Sequence, residues 1–398
     1  MTTMTAFRYL ARSCSDCNSS NSPNNLFITF LSGEGDPDHG PAHYAGYENQ
    51  HTAEFLGEEA SKGPHSGIIA MDFAGDSEYD GDYVLEVAIG QNPPHRIPHD
   101  YGDRNEGGGI TIADIDGNGN PELIALSIDS LEGENSAYYQ IGWDIDENGL
   151  SSNWTKGQSI PWQGKGQAGG GITARDINGD GIPDLIVFRI ENPSGPNRGY
   201  YSIGHMDKTG TVPPSQWTDF VEIPHAFADS NEGGGITIAD IDGNGEPELI
   251  VLSIDSLKGP NRGHYSIGWN IDEKGITSKW TERQSIPWQG DGSAGGGITA
   301  QDMNGDDIPD LIVFMIEAPK GPNSGYYRIG YMDKTGTVST WTDFMEDSAW
   351  FGGANDGGGL TVDDIDGNGK PDLILFMIYD ADGENRGYYR ILWDNWNE

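Results

Sequence analysis

The sequence predicts an all-β chain folded as a β-propeller, and three observations carry that reading. A triple glycine followed by a short apolar run returns at Gly107, Gly169, Gly233, Gly295 and Gly357, at steps of 62 to 64 residues. Each period holds four strand-like runs separated by turn compositions, the pattern of a propeller blade. Glycine supplies 59 of the 398 residues and no long amphipathic helical run occurs, which suits short strands joined by tight turns.

The period that starts at Gly169 shows the four strands in order: ITARDI, DLIVFRI, GYYSIGHM and QWTDFVEI. Between them lie NGDGIP, ENPSGPNR and DKTGTVPPS, all turn compositions. A coarser alternation overlies this one. Units from Gly107 and Gly233 share SIDSL, IGW and SIPWQG, whereas those from Gly169 and Gly295 share IPDLIVF, a GPN loop and MDKTGTV before WTDF. The copied unit is therefore a pair of blades about 126 residues long.

Residues 1–106 lack the triple glycine but read as a degenerate blade of the second type. Asp16 to Asn24 overlays Asp176 to Asp184, KGPHSG resembles KGPNSG, and IPHDYGDRNEGGG resembles IPHAFADSNEGGG. About 28 extra residues lie in the stretch 34–61. The expectation is one propeller domain over 1–398 with six blades of four antiparallel strands in three alternating pairs: 1–106, 107–168, 169–232, 233–294, 295–356 and 357–398. A seven-bladed ring, made by splitting the N-terminal region, is the alternative. The last unit stops after its third strand, and residues 1–7 are the candidate for completing it.

Composition narrows the function. A formal net charge of −41 argues against nucleic acid and anionic membrane as partners, since both require a cationic footprint. No apolar stretch is long enough to span a bilayer and no apolar leader is visible, so neither membrane insertion nor a signal peptide is expected. Location stays open between the cytoplasm and extracellular action after non-classical release. The two cysteines, Cys14 and Cys17, provide no disulfide framework, and incidental thiols outweigh a redox or half-zinc role. Asn18-Ser-Ser and Asn153-Trp-Thr read as chance matches to the glycosylation pattern.

An acidic loop joins the first two strands of each repeat. It offers side-chain oxygens at positions 1, 3, 5 and 9 and a backbone carbonyl at position 7, the mixture of hard donors that Ca2+ takes. The first loop presents Asp114, Asp116, Asn118 and Glu122, with the carbonyl of Asn120. The second presents Asp176, Asn178, Asp180 and Asp184, with Ile182; the third, Asp240, Asp242, Asn244 and Glu248, with Glu246. Asp302, Asn304, Asp306 and Asp310, with Ile308, form the fourth, and Asp364, Asp366, Asn368 and Asp372, with Lys370, the fifth. Position 6 is glycine in four loops and Asp307 in the other, which implies a left-handed turn. About five structural Ca2+ sites are expected, with the Asp16 loop left empty because it has one carboxylate.

These loops follow D-x-[DN]-x-[DN]-G-x-x-[DE], and with them the chain resembles the FG-GAP or VCBS repeat family, the blade type of integrin α-chain propellers and of some propeller lectins. The resemblance covers 107–398 well and 1–106 weakly. It implies a Ca2+-bound propeller used in adhesion or recognition. The triple glycine and the GPN loops are not part of the generic motif.

In an up-down meander the acidic loops and the DENG or DKTG turns share one end of the blade, and the GPN-type and IPWQG-type loops share the other. That second end offers Asn197, Arg198, Asn261, Arg262, Asn323, Asn385 and Arg386 with Trp162 and Trp288, the amides, guanidinium groups and flat rings that suit a neutral sugar. The pairs Tyr138-Tyr139, Tyr200-Tyr201, Tyr326-Tyr327 and Tyr388-Tyr389 read as blade packing. No Ser-His-Asp order, nucleophile elbow, phosphate loop or His metal cluster is present. The expected function is a non-enzymatic, multivalent lectin with a glycan or glycoprotein ligand. A protein-interaction or adhesion domain of a toxin or surface assembly is second, and a glycosidase third.

Overall fold

The computed structural model describes residues 27–31, 67–71, 95–101, 105–129, 136–161, 169–191, 197–227, 231–255, 262–287, 295–317, 324–347, 355–381 and 384–393. The chain divides into two compact units, Met1–Pro94 and His95–Glu398. In the first, β1 (Phe27–Leu31) and β2 (Gly67–Met71) pair in parallel, with Phe27 opposite Gly67 and Leu31 opposite Met71. Among the described residues no helix is long and apolar enough to cross a membrane.

The second unit is a β-propeller of five blades. It begins with β3 (His95–Tyr101), which precedes the first blade in sequence but serves the last. Blade 1 comprises β4 (Asn105–Ala113), β5 (Glu122–Asp129), β6 (Ser136–Trp143) and a fourth strand in two pieces, β7 (Asn153–Trp154) and β8 (Gln158–Ile160). Blade 2 comprises β9 (Gly170–Arg175), β10 (Asp184–Glu191), β11 (Asn197–Gly204) and β12 (Val221–Phe227). Blade 3 runs β13 (Asn231–Ala239), β14 (Glu248–Asp255), β15 (Arg262–Trp269), β16 (Lys279–Trp280) and β17 (Gln284–Ile286). Blade 4 runs β18 (Gly296–Gln301), β19 (Asp310–Glu317), β20 (Ser324–Met332), β21 (Val338–Trp341) and β22 (Met345–Asp347). Among the described residues blade 5 has three strands of its own, β23 (Asn355–Asp363), β24 (Asp372–Ala381) and β25 (Glu384–Leu392).

The fourth strand of blade 5 is β3, which pairs antiparallel with β25 so that His95 lies opposite Tyr389 and Arg96 opposite Tyr388. This corrects two expectations. The ring has five blades, neither six nor seven, and its closing strand is His95–Tyr101; residues 1–7 lie outside the described residues. The similarity of IPHDY to IPHAF was real, because Ile97 occupies in blade 5 the place that Ile223 occupies in blade 2. That segment donates its strand to the last blade and does not finish a blade of its own.

The triple glycines explain the size of the ring. A Cβ at Gly109 would sit 3.3 Å from the Cα of Gly171, one at Gly171 would sit 3.0 Å from Gly235, and one at Gly235 would sit 3.2 Å from Gly297. The series continues from Gly297 to Gly359 at 2.8 Å and returns from Gly359 to Gly109 at 3.1 Å. Five innermost strands therefore meet backbone to backbone around the axis. A side chain at any of these positions would force the strands apart.

Hydrophobic cores lie between neighbouring blades, and the second strands feed two cores at once. In β5, Ile124 and Leu126 face blade 2 with Ile172, Leu185 and Val187, while Leu123 and Ala125 face blade 5 with Ile374 and Phe376. All four are essentially inaccessible to water, which is why the run ELIALSI shows no alternation of polar and apolar residues. Ile97 of β3 joins the core between blades 5 and 1.

A hydrogen-bonded latch runs in the same sense. Tyrosines at one position of the third strand reach the turn of the following blade: Tyr139 donates to the Gly210 carbonyl at 3.1 Å, Tyr201 to Gly275 at 2.6 Å and Tyr265, which follows His264, to Gly336 at 3.2 Å. Burial raises the phenols of Tyr139, Tyr201 and Tyr265 to about 12, so each remains a donor at neutral pH.

Candidate functional site

Each acidic loop is a set of Asx turns built from its own sequence. Asp114 accepts the backbone N–H of Gly117, Asn118 and Gly119 at 2.8, 3.1 and 3.0 Å, and Asp240 does the same for Gly243, Asn244 and Gly245. The fifth-position oxygen accepts the seventh-position N–H, as from Asn120 to Asn118 at 2.7 Å and from Ile182 to Asp180 at 2.9 Å. The remaining loops pair Glu246 with Asn244, Ile308 with Asp306 and Lys370 with Asn368. Asp307 adopts φ of 61°, the left-handed conformation that glycine takes in the other loops.

The ninth-position carboxylate opens the second strand and is buried in every blade. Glu122 accepts the N–H of Ile115 at 2.7 Å and that of Asp144 at 3.4 Å, tying the loop to the end of the third strand. Burial pushes its carboxyl up to about 7, the backbone donors pull it down, and the charges of Asp116 and Asp114 push it up further. Glu248, Asp184 and Asp310 are raised for the same first reason. The acidic loops and the DENG-type turns do share one end of the propeller: Asn118 Nδ2 donates to Asp144 at 2.9 Å, and Asn270 Nδ2 to Glu246 at 2.8 Å.

Two loops gather three carboxylates that could hold a cation. Ligand oxygens of Asp240, Asp242 and Glu248, and of Asp364, Asp366 and Asp372, all lie within 4.8 Å of one another. An ion with Ca–O distances of about 2.3–2.6 Å would reach three oxygens so spaced. The donors are exclusively oxygen, so the residues fit a hard divalent ion. Loops 2 and 4 also carry three carboxylates, but with Asn178 and Asn304 at position 3 their middle acid is Asp180 or Asp306 at position 5.

Blade 2 departs from this scheme in one respect. The position that is Trp143 in blade 1, Trp269 in blade 3 and Tyr331 in blade 4 is His205, and its Nδ1 lies 3.0 Å from Oδ1 of the fully buried Asp184. The other oxygen of Asp184 accepts the N–H of Ile177 at 3.0 Å. Nδ2 of Asn178 lies 3.4 Å from the same ring nitrogen, so the loop holds His205 by its Nδ1 edge.

His205 lines a cleft of about 830 Å3 between blades 2 and 3. Its floor and walls include Asn178, Met206, Gln216, Trp217, Asp219 and Ile276. One wall is the 3-10 turn Pro214–Gln216, and Gly204 allows the Trp217 ring to pack directly on the third strand, where any Cβ would lie 2.7 Å from it. Ile276, on the turn of blade 3, is 53 % exposed. Sequence reasoning missed this cleft. Its signal was available: blade 2 reads TVPPSQW where blade 4 reads TVSTW, two residues shorter.

The residues expected to bind a ligand at the opposite end are only partly in view. Trp162, Asn261, Trp288 and Asn323 lie outside the described residues, and for Asn197, Asn385 and Arg386 only the strand backbone is described. Arg198 is exposed and pairs with Glu222 at 3.5 Å, and Arg262 is exposed at the start of β15.

Residues 176–251 match the FG-GAP-like repeat family model. No curated protein sequence shows significant similarity to the chain. Among solved structures, the chain is similar to the six-bladed, fucose-recognising lectin of Aleuria aurantia, with 12% identity over 72% of this chain and 73% of that one and a TM-score of 0.42. It is similar to an α-L-arabinofuranosidase from Podospora anserina, at 10% identity over 75% and 95% of the two chains with a TM-score of 0.43. An endo-arabinanase from Bacillus licheniformis aligns at 14% identity over 76% and 97%, with a TM-score of 0.38.

Proposed function

We propose that the chain is a Ca2+-braced propeller that binds carbohydrate and performs no chemistry on it. The observation that carries this is the composition of the cleft between blades 2 and 3. The ring of Trp217 offers a flat apolar surface for the C–H face of a sugar, and Gln216, Asp219 and His205 surround it with donors and acceptors for hydroxyl groups. Its volume lies within the ~300–1,000 Å3 range of small-ligand sites.

Support for a non-catalytic reading comes from the acids. A glycosidase uses a facing pair of carboxyl groups free to exchange protons and attack. Here Glu122, Asp184, Glu248, Asp310 and Asp372 are buried, and each accepts a backbone N–H of its own loop. They are committed to holding the loops. Bound Ca2+ would supply positive charge among the carboxylates and fix the loop conformation. The first-position aspartates and the ninth-position acids of all five loops would hold it, assisted by the third- and fifth-position side chains.

The second reading is a protein-interaction or adhesion domain, favoured by Ile276 standing exposed at the lip of the cleft. A glycan array with and without Ca2+ separates the two. Binding to glycans that is lost in Trp217→Ala supports the first reading. Silence on the array together with capture of a defined protein ligand by the same face would replace it with the second.

A further inference from the structure

We propose that the cleft between blades 2 and 3 is a ligand site peculiar to that junction, built by Pro213-Pro214 and His205, for a short uncharged oligosaccharide; this rests on the carbohydrate-binding reading above. The internal repeat supplies the comparison. Blade 4 is the copy of blade 2, sharing MDKTGTV and WTDF, and its Trp341 packs on Gly330 as Trp217 packs on Gly204. Two of the differences between them fall where the third strand passes into this link. Blade 2 is two residues longer in this link, which contains the 3-10 turn Pro214–Gln216, and it carries His205 where blade 4 carries Tyr331.

Both differences lie on the cleft wall. In blade 4 the shorter link continues directly as β21, paired with β20, whereas in blade 2 the link leaves the sheet and an isolated bridge joins Gly204 to Trp217. The insertion thus moves a wall outward and opens space beside the indole. His205 fits the space with a smaller ring than tyrosine, and Asp184 and Asn178 hold it by Nδ1 at 3.0 and 3.4 Å.

The charge around the cleft selects the ligand. Asp207, Asp219 and Glu273 face it against Lys274, in a chain whose net charge is −41. A sialylated or uronic-acid glycan would bring its carboxylate toward carboxylates and be rejected. An uncharged chain of sugars meets no such opposition, and the volume of the cleft suits more than one ring.

The test is a glycan array carrying uncharged, sialylated and uronic-acid oligosaccharides, probed with the full chain. Two variants convert blade 2 to the blade 4 pattern, deletion of Pro213-Pro214 and His205→Tyr; Tyr331→His changes the copy. Thermal melting confirms that each folds. The expected result is wild-type binding to uncharged glycans only, reduced at least tenfold in both blade 2 variants and unchanged in Tyr331→His. Binding that survives both blade 2 variants, or that favours acidic glycans, overturns this site while leaving the carbohydrate-binding reading intact. No binding to any glycan overturns both.

Discussion

The hydroxyl of Tyr389 donates to the carbonyl of Gly149 at 2.8 Å across 240 residues of sequence. It is the latch between blade 5 and blade 1, the same contact that Tyr139, Tyr201 and Tyr265 make between consecutive blades. Removing the hydroxyl leaves a buried carbonyl without its donor, at a cost of about 1–3 kcal/mol. Tyr389→Phe is expected to lower the free energy of unfolding by that amount in urea titration. Tyr201→Phe, whose bond is 2.6 Å long, should cost at least as much. A phenylalanine variant as stable as wild type would show that the latch is incidental to ring closure.

The glycine collar makes a ranked prediction. A Cβ at Gly297 would approach Gly359 to 2.8 Å, whereas one at Gly109 would find its nearest neighbours at 3.2 and 3.3 Å. Overpacking between backbones that cannot yield costs about 1–3 kcal/mol. Gly297→Ala is therefore expected to destabilise the protein more than Gly109→Ala in parallel denaturation curves. Equal effects, or none, would mean that the inner strands can separate without loss.

How much of this was legible in the sequence can be read from the same residues. The period, the antiparallel strands, the loop geometry down to the left-handed Asp307 and the packing role of the tyrosine pairs all follow from local patterns. Blade number does not. Counting repeats treats each stretch as a blade where it stands, but a ring is closed by a contact between distant segments, and nothing local says that Ile97 packs beside Tyr389 and not beside its own neighbours. The triple glycine was visible as a marker of each unit. Its physical role, letting Gly109, Gly171, Gly235, Gly297 and Gly359 touch, appears only once five strands meet. The cleft was missed because attention to what the repeats share hides the two residues in which one copy differs.

Calcium should stabilise the fold through the loops that already gather carboxylates. An ion that binds the native state alone adds about 2.7 kcal/mol when present at 100 times its dissociation constant. The melting temperature is expected to rise with Ca2+ and fall in EDTA, with elemental analysis finding the metal in the dialysed protein. Asp242→Asn and Asp366→Asn each remove a carboxylate from one of the two clusters and should reduce the gain. A melting temperature indifferent to both Ca2+ and EDTA would refute the assignment.

Stability should also report on the closing strand through pH. His95 stacks on Tyr389 with centroids 5.0 Å apart, and its Nε2 is buried with no hydrogen-bond partner among the described residues. Burial lowers its pKa from 6.5 to about 4, against the opposing pull of Asp146. Between those values the unfolded chain takes up a proton that the folded chain refuses, so this group's contribution is full above pH 6.5 and is lost as pH falls toward 4. The contribution is on the order of 3 kcal/mol, since each tenfold change in proton affinity is worth about 1.36 kcal/mol. Glu122, raised to about 7, works in the opposite sense: its folded carboxyl holds a proton that the unfolded one releases, so stability falls as pH rises from 4.5 to 7. The wild-type curve mixes the two, and the informative quantity is the difference between wild type and His95→Phe measured in the same buffers. That difference should favour His95→Phe increasingly as pH drops from 6.5 to 4, because the variant has no proton to accept at the seam between blades 5 and 1. A difference that stays constant over this interval would show that His95 already titrates freely and that β3 does not bury it.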